Sequence, residues 1–143
     1  MDVKTITFHL NEDLQNKRKH FAFYLYHSTG LKGLLKSEFG SLFLKEAVSE
    51  MESIRELSSL IHGIGGKTCI DLKPHPTFTK AMDAVKYAHE MLIEVVQNYE
   101  TRIKMAEKMG GLESKQIVLF LEKQFSSTKS IADNWRIILE GLS

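Results

Sequence analysis

Apolar residues recur at three- and four-residue steps along four long segments, at residues 8–36, 40–64, 77–109 and 113–140. Steps of this size put the apolar side chains on one face of an α-helix. The four stripes consist of Leu10, Leu14, Phe21, Tyr24 and Leu31; Phe43, Ala47, Ile54, Leu57, Ile61 and Ile64; Met82, Val85, His89, Leu92, Val96, Tyr99, Ile103 and Ala106; and Ile117, Leu121, Thr128, Ile131, Trp135 and Ile138. Such helices can bury their apolar faces only against one another. We therefore predict an all-α four-helix bundle that occupies residues 1–143 as a single domain.

Glycine and proline separate the predicted helices. Glycine pairs at 65–66 and 110–111 end the second and third helices. The break between the first and second helices is marked only by residues 39–41, and both prolines lie in the extended stretch 65–77. About a dozen extended residues reach roughly 40 Å, and a helix of about 25 residues is roughly 37 Å long. The stretch can therefore run the length of the bundle as one long crossover, which makes the third helix parallel to the second.

Composition and charge narrow the class of protein. With 43% hydrophobic and 26% charged residues, the chain has the make-up of an ordinary globular protein. A formal charge of +1 gives no basic excess for nucleic acid, and no apolar run approaches the roughly 18 residues that span a bilayer. A single cysteine excludes an internal disulfide, and the N-terminus lacks the layout of a signal peptide. We expect a cytoplasmic protein that binds neither nucleic acid nor membrane.

Three polar residues interrupt the apolar stripes at similar depth. Lys17, Glu50 and Gln124 each occupy a stripe position near the middle of a different helix. Because an unpaired ammonium or carboxylate is costly to bury, such groups stay in a core only with partners. We therefore predict a site built across the bundle interior. The alternative is that the stripes are off by about one residue and that the three side chains reach water.

Short motifs in the order and spacing of one family cover nearly the whole chain. They are Leu10-Asn11 with Leu14, Tyr24 and His27; Gly30-Leu31-Lys32 with Leu34; Glu50-Met51; and Ile64-Gly65-Gly66. In these motifs the sequence resembles a ferritin-like protein, and it is most similar to the bacterioferritins. The resemblance implies the ferritin-like four-helix bundle, with one long crossover between the second and third helices.

The resemblance also implies where a di-iron site would lie. The family's site uses a glutamate from each of two helices and a Glu-x-x-His pair from each of the other two. The positions of this chain that match it are Lys17, Glu50, Ser53, Glu90, Gln124 and Ser127, with Tyr24 next to them. The register of the third helix is open by one or two residues, so the match there is to Glu90 or to Leu92.

Most of the implied iron ligands are missing at these positions. Glu50 and Glu90 are the two carboxylates left for a metal, and two iron ions need more anionic charge than that. The family's iron oxidation is therefore not expected, and the protein is predicted not to be an enzyme. Our hypothesis is that the ammonium of Lys17 takes the place of an iron ion, paired with Glu50 and hydrogen-bonded by Gln124 or Ser53.

Met51 aligns with the methionine that ligates haem across a dimer interface in bacterioferritins. Methionines at helical spacing are usually packing residues, and this chain has six. We therefore expect neither haem nor another resident cofactor, and iron is the one metal that the resemblance leaves open.

Two functions remain open from the sequence. The first is an oligomer or cage subunit without a complete ferroxidase centre, which stores or nucleates iron passively or assembles with active ferritin-like subunits. The second is a structural or interaction module that reuses the fold without metal. A DNA-protecting mini-ferritin is less well supported, because the charged tail and the histidine- and acid-rich interface motif of that group are not found.

The resemblance also implies self-association. Bundles of the family pair antiparallel through their first two helices, so we expect a homodimer or a larger homo-oligomer with Phe23, Tyr26 and Phe39 on the outer face. The chain ends just after the fourth helix. We therefore expect a dimer or a small shell in place of the 24-subunit cage, whose pores need a fifth helix.

Overall fold

Four α-helices make up most of the computed structural model of the protein, which describes residues 2–142. Helix α1 spans Val3–Gly30, α2 spans Lys36–Gly63, α3 spans Ala81–Glu107 and α4 spans Gly111–Leu142. The prediction of four helices is confirmed, and the largest shift is at α1, which begins at residue 3 instead of 8 and ends at residue 30 instead of 36. Asp2 explains the early start, because its side chain accepts a hydrogen bond from the backbone N–H of Thr5 at 2.8 Å and caps the helix.

The predicted break at residues 39–41 is wrong, because these residues lie inside α2. The chain turns instead at residues 31–35, where Gly33 has a φ of 99°, a conformation that favours glycine. Gly40 lies inside α2, where it contacts the backbone of α1 and does not form a turn. A Cβ atom at this buried position would lie 2.6 Å from the backbone oxygen of Ser28, so glycine allows α2 to pass close to α1.

Side-chain contacts define the direction of the first two helices. Lys17 of α1 contacts Glu50 of α2, and further along α1 the ring of Tyr24 lies 6.0 Å from the ring of Phe43. Residue numbers rise along α1 as they fall along α2, so the two helices are antiparallel. The short connection at residues 31–35 allows no other arrangement of neighbouring helices.

The direction of α3 follows in the same way. Asp13 of α1 bonds Arg102, near the end of α3, whereas Phe23 of α1 packs on Tyr87, near its start. Helices α1 and α3 are therefore antiparallel, which makes α3 parallel to α2. The prediction of one long crossover between the second and third helices is confirmed, and the crossover occupies residues 64–80.

The crossover lies along α1. Near its start, Asn11 donates to the backbone oxygen of Lys67 and accepts from the backbone N–H of Cys69, both at 2.8 Å. The guanidinium of Arg18 donates to the backbone oxygen of Cys69. At the other end, the backbone N–H of Lys32 donates to the oxygen of Thr79 at 2.8 Å. Side chains of α1 therefore satisfy backbone groups that the extended segment cannot pair within itself.

The buried apolar residues form two clusters instead of one. One cluster contains Phe23, Tyr24, Phe43, Leu92 and Trp135, and the other contains Ile6, Leu10, Leu57, Ile61 and Leu121. Between them, at mid-height of the bundle, lie the polar residues described below.

Of the three aromatic residues predicted on the outer face of the first two helices, one is exposed. Tyr26 is exposed, but Phe23 and Phe39 are buried, so their prediction as surface residues is wrong. Phe23 packs against the rings of Phe43 and Phe78, because α2 and the crossover both cover this side of α1. None of the helices between residues 2 and 142 is long and apolar enough to cross a membrane.

Candidate functional site

Lys17 is the centre of the polar layer between the two apolar clusters. It lies on the buried face of α1 with only 4% of its surface exposed. Its Nζ atom is 3.5 Å from Oε1 of Glu50 on α2 and 3.5 Å from Oε1 of Gln124 on α4. The prediction that these three side chains meet across the bundle interior therefore agrees with the geometry. Both contacts are long for hydrogen bonds, so the ammonium is held loosely by each partner.

Gln124 connects the ammonium to α2. Its side-chain oxygen accepts a hydrogen bond from the hydroxyl of Ser53 at 2.7 Å, and its amide nitrogen donates to Oε2 of Glu56 at 3.3 Å. These bonds fix the orientation of the amide, because the oxygen must face the two donors, Ser53 and Lys17. The layer therefore presents an acceptor to the ammonium from α4 as well as from α2.

Helix α3 contributes an aromatic ring to the layer. The Nζ atom of Lys17 lies 5.2 Å from the ring centroid of Tyr99, within the range of a cation–π contact. The hydroxyl oxygens of Tyr99 and Tyr24 are buried without a hydrogen-bond partner. Burial raises the pKa of both tyrosines, so both stay protonated at neutral pH.

The ammonium of Lys17 stays charged despite its burial. Desolvation acts to lower its pKa, but interactions with Tyr99 and Glu50 leave the pKa above its ordinary value. Because Tyr99 is uncharged at neutral pH, the carboxylate of Glu50 is the anion that favours the ammonium there. The retained positive charge therefore offsets the negative charge of the carboxylates that line the layer, of which Glu50 is 3.5 Å away.

Two further polar side chains flank Lys17 on α1, and sequence reasoning did not identify either as part of the site. Asp13 accepts a hydrogen bond from Nε of Arg102 at 3.2 Å, and burial raises the pKa of Asp13 in spite of that partner. Burial, with the charges of Lys17 and Lys19, lowers the pKa of His20 to about 3. Spacing could have found both, because positions four before and three after Lys17 share its helix face.

The layer contains little free space. Residues that include Lys17, His20, Glu50 and Tyr99 surround a cavity of about 10 Å³, and a second cavity of about 30 Å³ lies towards Tyr24 and Gln124. The first cavity holds about one water molecule. The side chains of the layer therefore leave room for little more than a water molecule.

The other predicted site residues lie at different depths. Leu92 is buried and lines both cavities, whereas Glu90 is exposed and lines a separate surface pocket with His20 and Glu94. In the third helix the structure therefore places Leu92, and not Glu90, at the level of the layer. Ser53 is half-buried and Ser127 is exposed at the opening between α2 and α4. Met51 is 54% exposed on the outer side of α2.

The side chains of the layer do not fit a pair of iron ions. Glu50 is the carboxylate at the centre, and around it stand an ammonium, an amide, a hydroxyl and a tyrosine ring. Asp13 and Glu46 line the adjoining cavities, and Asp13 is paired with Arg102. Two iron ions need several carboxylates that can bridge them, and an ammonium among the ligands repels both. Nowhere in residues 2–142 do three His, Cys, Asp or Glu side chains come together as a metal site would require.

Known structures resemble this bundle over almost its full length. A ferritin-like, diiron-carboxylate protein from Bacillus anthracis str. Ames superposes with a TM-score of 0.89 at 20% sequence identity, over 97% of this chain and 99% of that one. The DPS protein from Vibrio cholerae O1, described as a member of a broad superfamily of ferritin-like diiron-carboxylate proteins, superposes with a TM-score of 0.89 at 11% identity. That match covers 96% of this chain and 90% of the other.

Sequence comparison gives the family directly. No curated protein matches the chain significantly. The model of the ferritin family, described as a ferritin-like domain, matches residues 8–129. That match includes the whole polar layer and most of all four helices, and the protein therefore belongs to the ferritin-like family.

Proposed function

We propose that this protein is a ferritin-like subunit without an iron-oxidising centre, which assembles with copies of itself and handles iron passively at most. The observation that supports this most strongly is the buried Lys17 ammonium between Glu50 and Gln124. In this position the ammonium occupies the space of a metal ion and pairs with the carboxylate that iron would need as a ligand. Glu50 is then a partner of lysine, and no set of bridging carboxylates remains.

Passive iron handling has a chemical basis outside the layer. A surface pocket between α2 and α4 is lined by Glu52, Glu56 and Ser49 together with Lys123. Carboxylates on a protein surface attract ferrous and ferric ions, which prefer oxygen ligands. Glu56 already accepts a hydrogen bond from Gln124, however, and Lys123 opposes cation binding. Iron that binds in this pocket is therefore held weakly, and it is substrate or cargo of the protein and not a resident cofactor.

Self-assembly is supported by an apolar stripe on the outer side of α2. Leu44, Val48 and Met51 follow one another at four- and three-residue steps and are each about half exposed. Such a contiguous apolar face on a surface helix marks an interaction site. Lys45 and Glu52 flank the stripe, so two copies of α2 that pair antiparallel would bring each lysine close to the glutamate of the other copy.

Two measurements test the proposal. Protein exposed to ferrous iron in air is separated by size-exclusion chromatography with light scattering, and the iron in each fraction is measured. Oxygen consumption is followed in parallel, with Lys17→Met as a variant that leaves the surface unchanged. We expect a discrete oligomer and an oxidation rate no faster than that of free iron, for both proteins. Rapid, saturable oxidation by the parent would contradict the proposal.

The iron content of the oligomer distinguishes the two functions. Many irons per subunit in a large particle would support passive storage, with nucleation that does not need the lost centre. A metal-free oligomer would favour the second function, a structural or interaction module that uses the ferritin fold without iron. Mixing with an active ferritin-like protein, followed by separation by mass, tests assembly with active subunits.

A further inference from the structure

His27 joins α1 to the end of the crossover. Its ring is completely buried. The Nδ1 atom is 2.7 Å from the backbone oxygen of Phe23, and the backbone N–H of Phe78 donates to Nε2 at 3.0 Å. Because Nε2 accepts, the ring must be neutral, and because Phe23 offers only an acceptor, the proton must be on Nδ1. Both nitrogens are thus satisfied in one protonation state alone.

Protonation of the ring removes the bond to the crossover. An imidazolium has an N–H group at both nitrogens, so Nε2 can no longer accept from Phe78. Two N–H donors would then point at each other in a buried site, which leaves both without a partner.

Apart from the backbone oxygen of Phe23, no acceptor or carboxylate contacts the ring of His27 among the residues that the structure describes. Its ring neighbours are Phe23 and Tyr26 of α1, Phe43 of α2, and His75 and Phe78 of the crossover. Of these only Tyr26 and His75 are titratable, and His75, at 6.3 Å between ring centroids, adds a second positive charge when it is protonated. Burial, and then the charge of His75, outweighs the bond to Phe23, so the pKa of His27 lies below its ordinary value.

The rest of the crossover is held by groups that do not titrate near neutral pH. Asn11 and Arg18 hold residues 67–69 at the other end of the segment. Beside His27, the remaining backbone bond is from Lys32 to Thr79. Because the bond from Lys32 to Thr79 does not titrate, loss of the His27 bond affects residues 75–78 and leaves both ends of the crossover attached.

We propose that His27 is an acid-sensitive clasp, whose protonation releases residues 75–78 of the crossover from α1. Release frees the ring of Phe78 from its contacts with Phe23 and Tyr87 and exposes the aromatic end of the bundle. The open form, with the ring in water, has an ordinary histidine pKa of about 6.5. Each pH unit below that value raises the ratio of open to closed form by up to about tenfold, until the pKa of the closed form is reached.

The test is amide hydrogen exchange at Phe78 between pH 7 and pH 5. The rate is expressed as a protection factor, which removes the pH dependence of intrinsic exchange from an unprotected amide. We expect protection at Phe78 to fall on the order of tenfold, while protection at Cys69 stays constant. In His27→Gln the side-chain amide can make both hydrogen bonds without titrating, so protection at Phe78 should not change with pH. His62→Gln changes an exposed histidine outside the core, serves as the matched control for general acid effects, and should behave as the parent does.

Three results would overturn the clasp. Protection at Phe78 that stays constant in the parent shows that the bond does not respond to acid. An equal fall in His27→Gln assigns the effect to another group, such as His75. If His27→Gln does not fold, His75→Gln is measured in its place. Protection at Phe78 that no longer changes with pH in that variant assigns the effect to His75 and contradicts the proposal.

Discussion

At the scale of single residues, Lys17 is an unusual element of the core. A buried ammonium loses its hydration, and here it regains only two contacts of 3.5 Å and a cation–π contact. An apolar side chain of the same volume would pack at lower cost. The lysine and Glu50 therefore depend on each other, since either one alone would be a buried charge without a partner.

Removal of the lysine tests this dependence. Lys17→Ala leaves Glu50 nearly buried without its cation, so the free energy of unfolding should fall by about 3 kcal/mol. The double variant Lys17→Met, Glu50→Leu removes both charges and should be close to the parent in stability. Urea denaturation measures both proteins, and a Lys17→Ala variant as stable as the parent would show that the pair contributes little.

The burial of His20 makes the stability of the protein depend on pH. Because the pKa of His20 is about 3 in the folded protein and about 6.5 in an unfolded chain, the unfolded chain takes up the proton first. The free energy of unfolding should therefore fall as the pH drops from about 6.5 towards 3. His20→Gln should reduce this slope by up to about 1.4 kcal/mol per pH unit. Denaturation at several pH values checks this, with exposed His62→Gln as a control that should keep the parent slope.

At the scale of helices, the close approach of α1 and α2 depends on one glycine. The backbone oxygen of Ser28 occupies the space that a side chain at Gly40 would need. Ser28 and Gly40 both lie within regular helix, so neither backbone can move at this point without shifting its whole helix. The contact therefore sets the distance between α1 and α2 at this end of the bundle.

Gly40→Ala should destabilise the protein by about 1–3 kcal/mol, because the added methyl group forces the two helices apart. Gly63, in the last turn of α2, has open space around its Cα atom. Gly63→Ala should be neutral or stabilising, by up to about 1 kcal/mol, as alanine favours helix. Thermal melting of the two variants compares them directly, and equal melting temperatures would contradict the packing argument.

At the scale of the whole molecule, the exposed stripe of α2 is the feature that the isolated bundle leaves without a partner. Leu44, Val48 and Met51 are on the outer side, while Phe43 and Ala47 of the same helix are buried. Helix α2 is thus apolar on two faces, of which the bundle uses one. The second face is the basis for assembly with another copy.

Val48→Glu should therefore shift the particle towards the mass of one chain, 16.3 kDa, since a carboxylate at the centre of the stripe cannot be buried unpaired. Leu119→Glu places the same charge at an exposed leucine of α4 and should leave the mass unchanged. Light scattering after size exclusion gives both masses. An oligomer that survives Val48→Glu would place the interface elsewhere.

Part of the site could be predicted from helical period alone. Lys17 and Gln124 were expected to be buried from their stripe positions, and both are. Leu92 lies on the predicted apolar stripe, but the match to the family's ligand position could fall on Leu92 or on Glu90, because that match depends on whether a gap is placed in the third helix and not on the helical period. His27 was recognised as part of a motif, but its bond to Phe78 joins positions 51 residues apart, and no local pattern indicates such a pairing.

The sequence by itself determined four amphipathic helices, one long crossover and a polar level in the core. These features follow from a regular backbone period and from the high cost of burying charge, both of which are properties of local sequence. The tertiary structure alone decided which side chains face each other. It buried Phe23 and Phe39, and it paired the ring of His27 with the backbone of Phe78. Those outcomes depend on the rotation of each helix about its own axis and on the path of the crossover, which are set only when all four helices pack together.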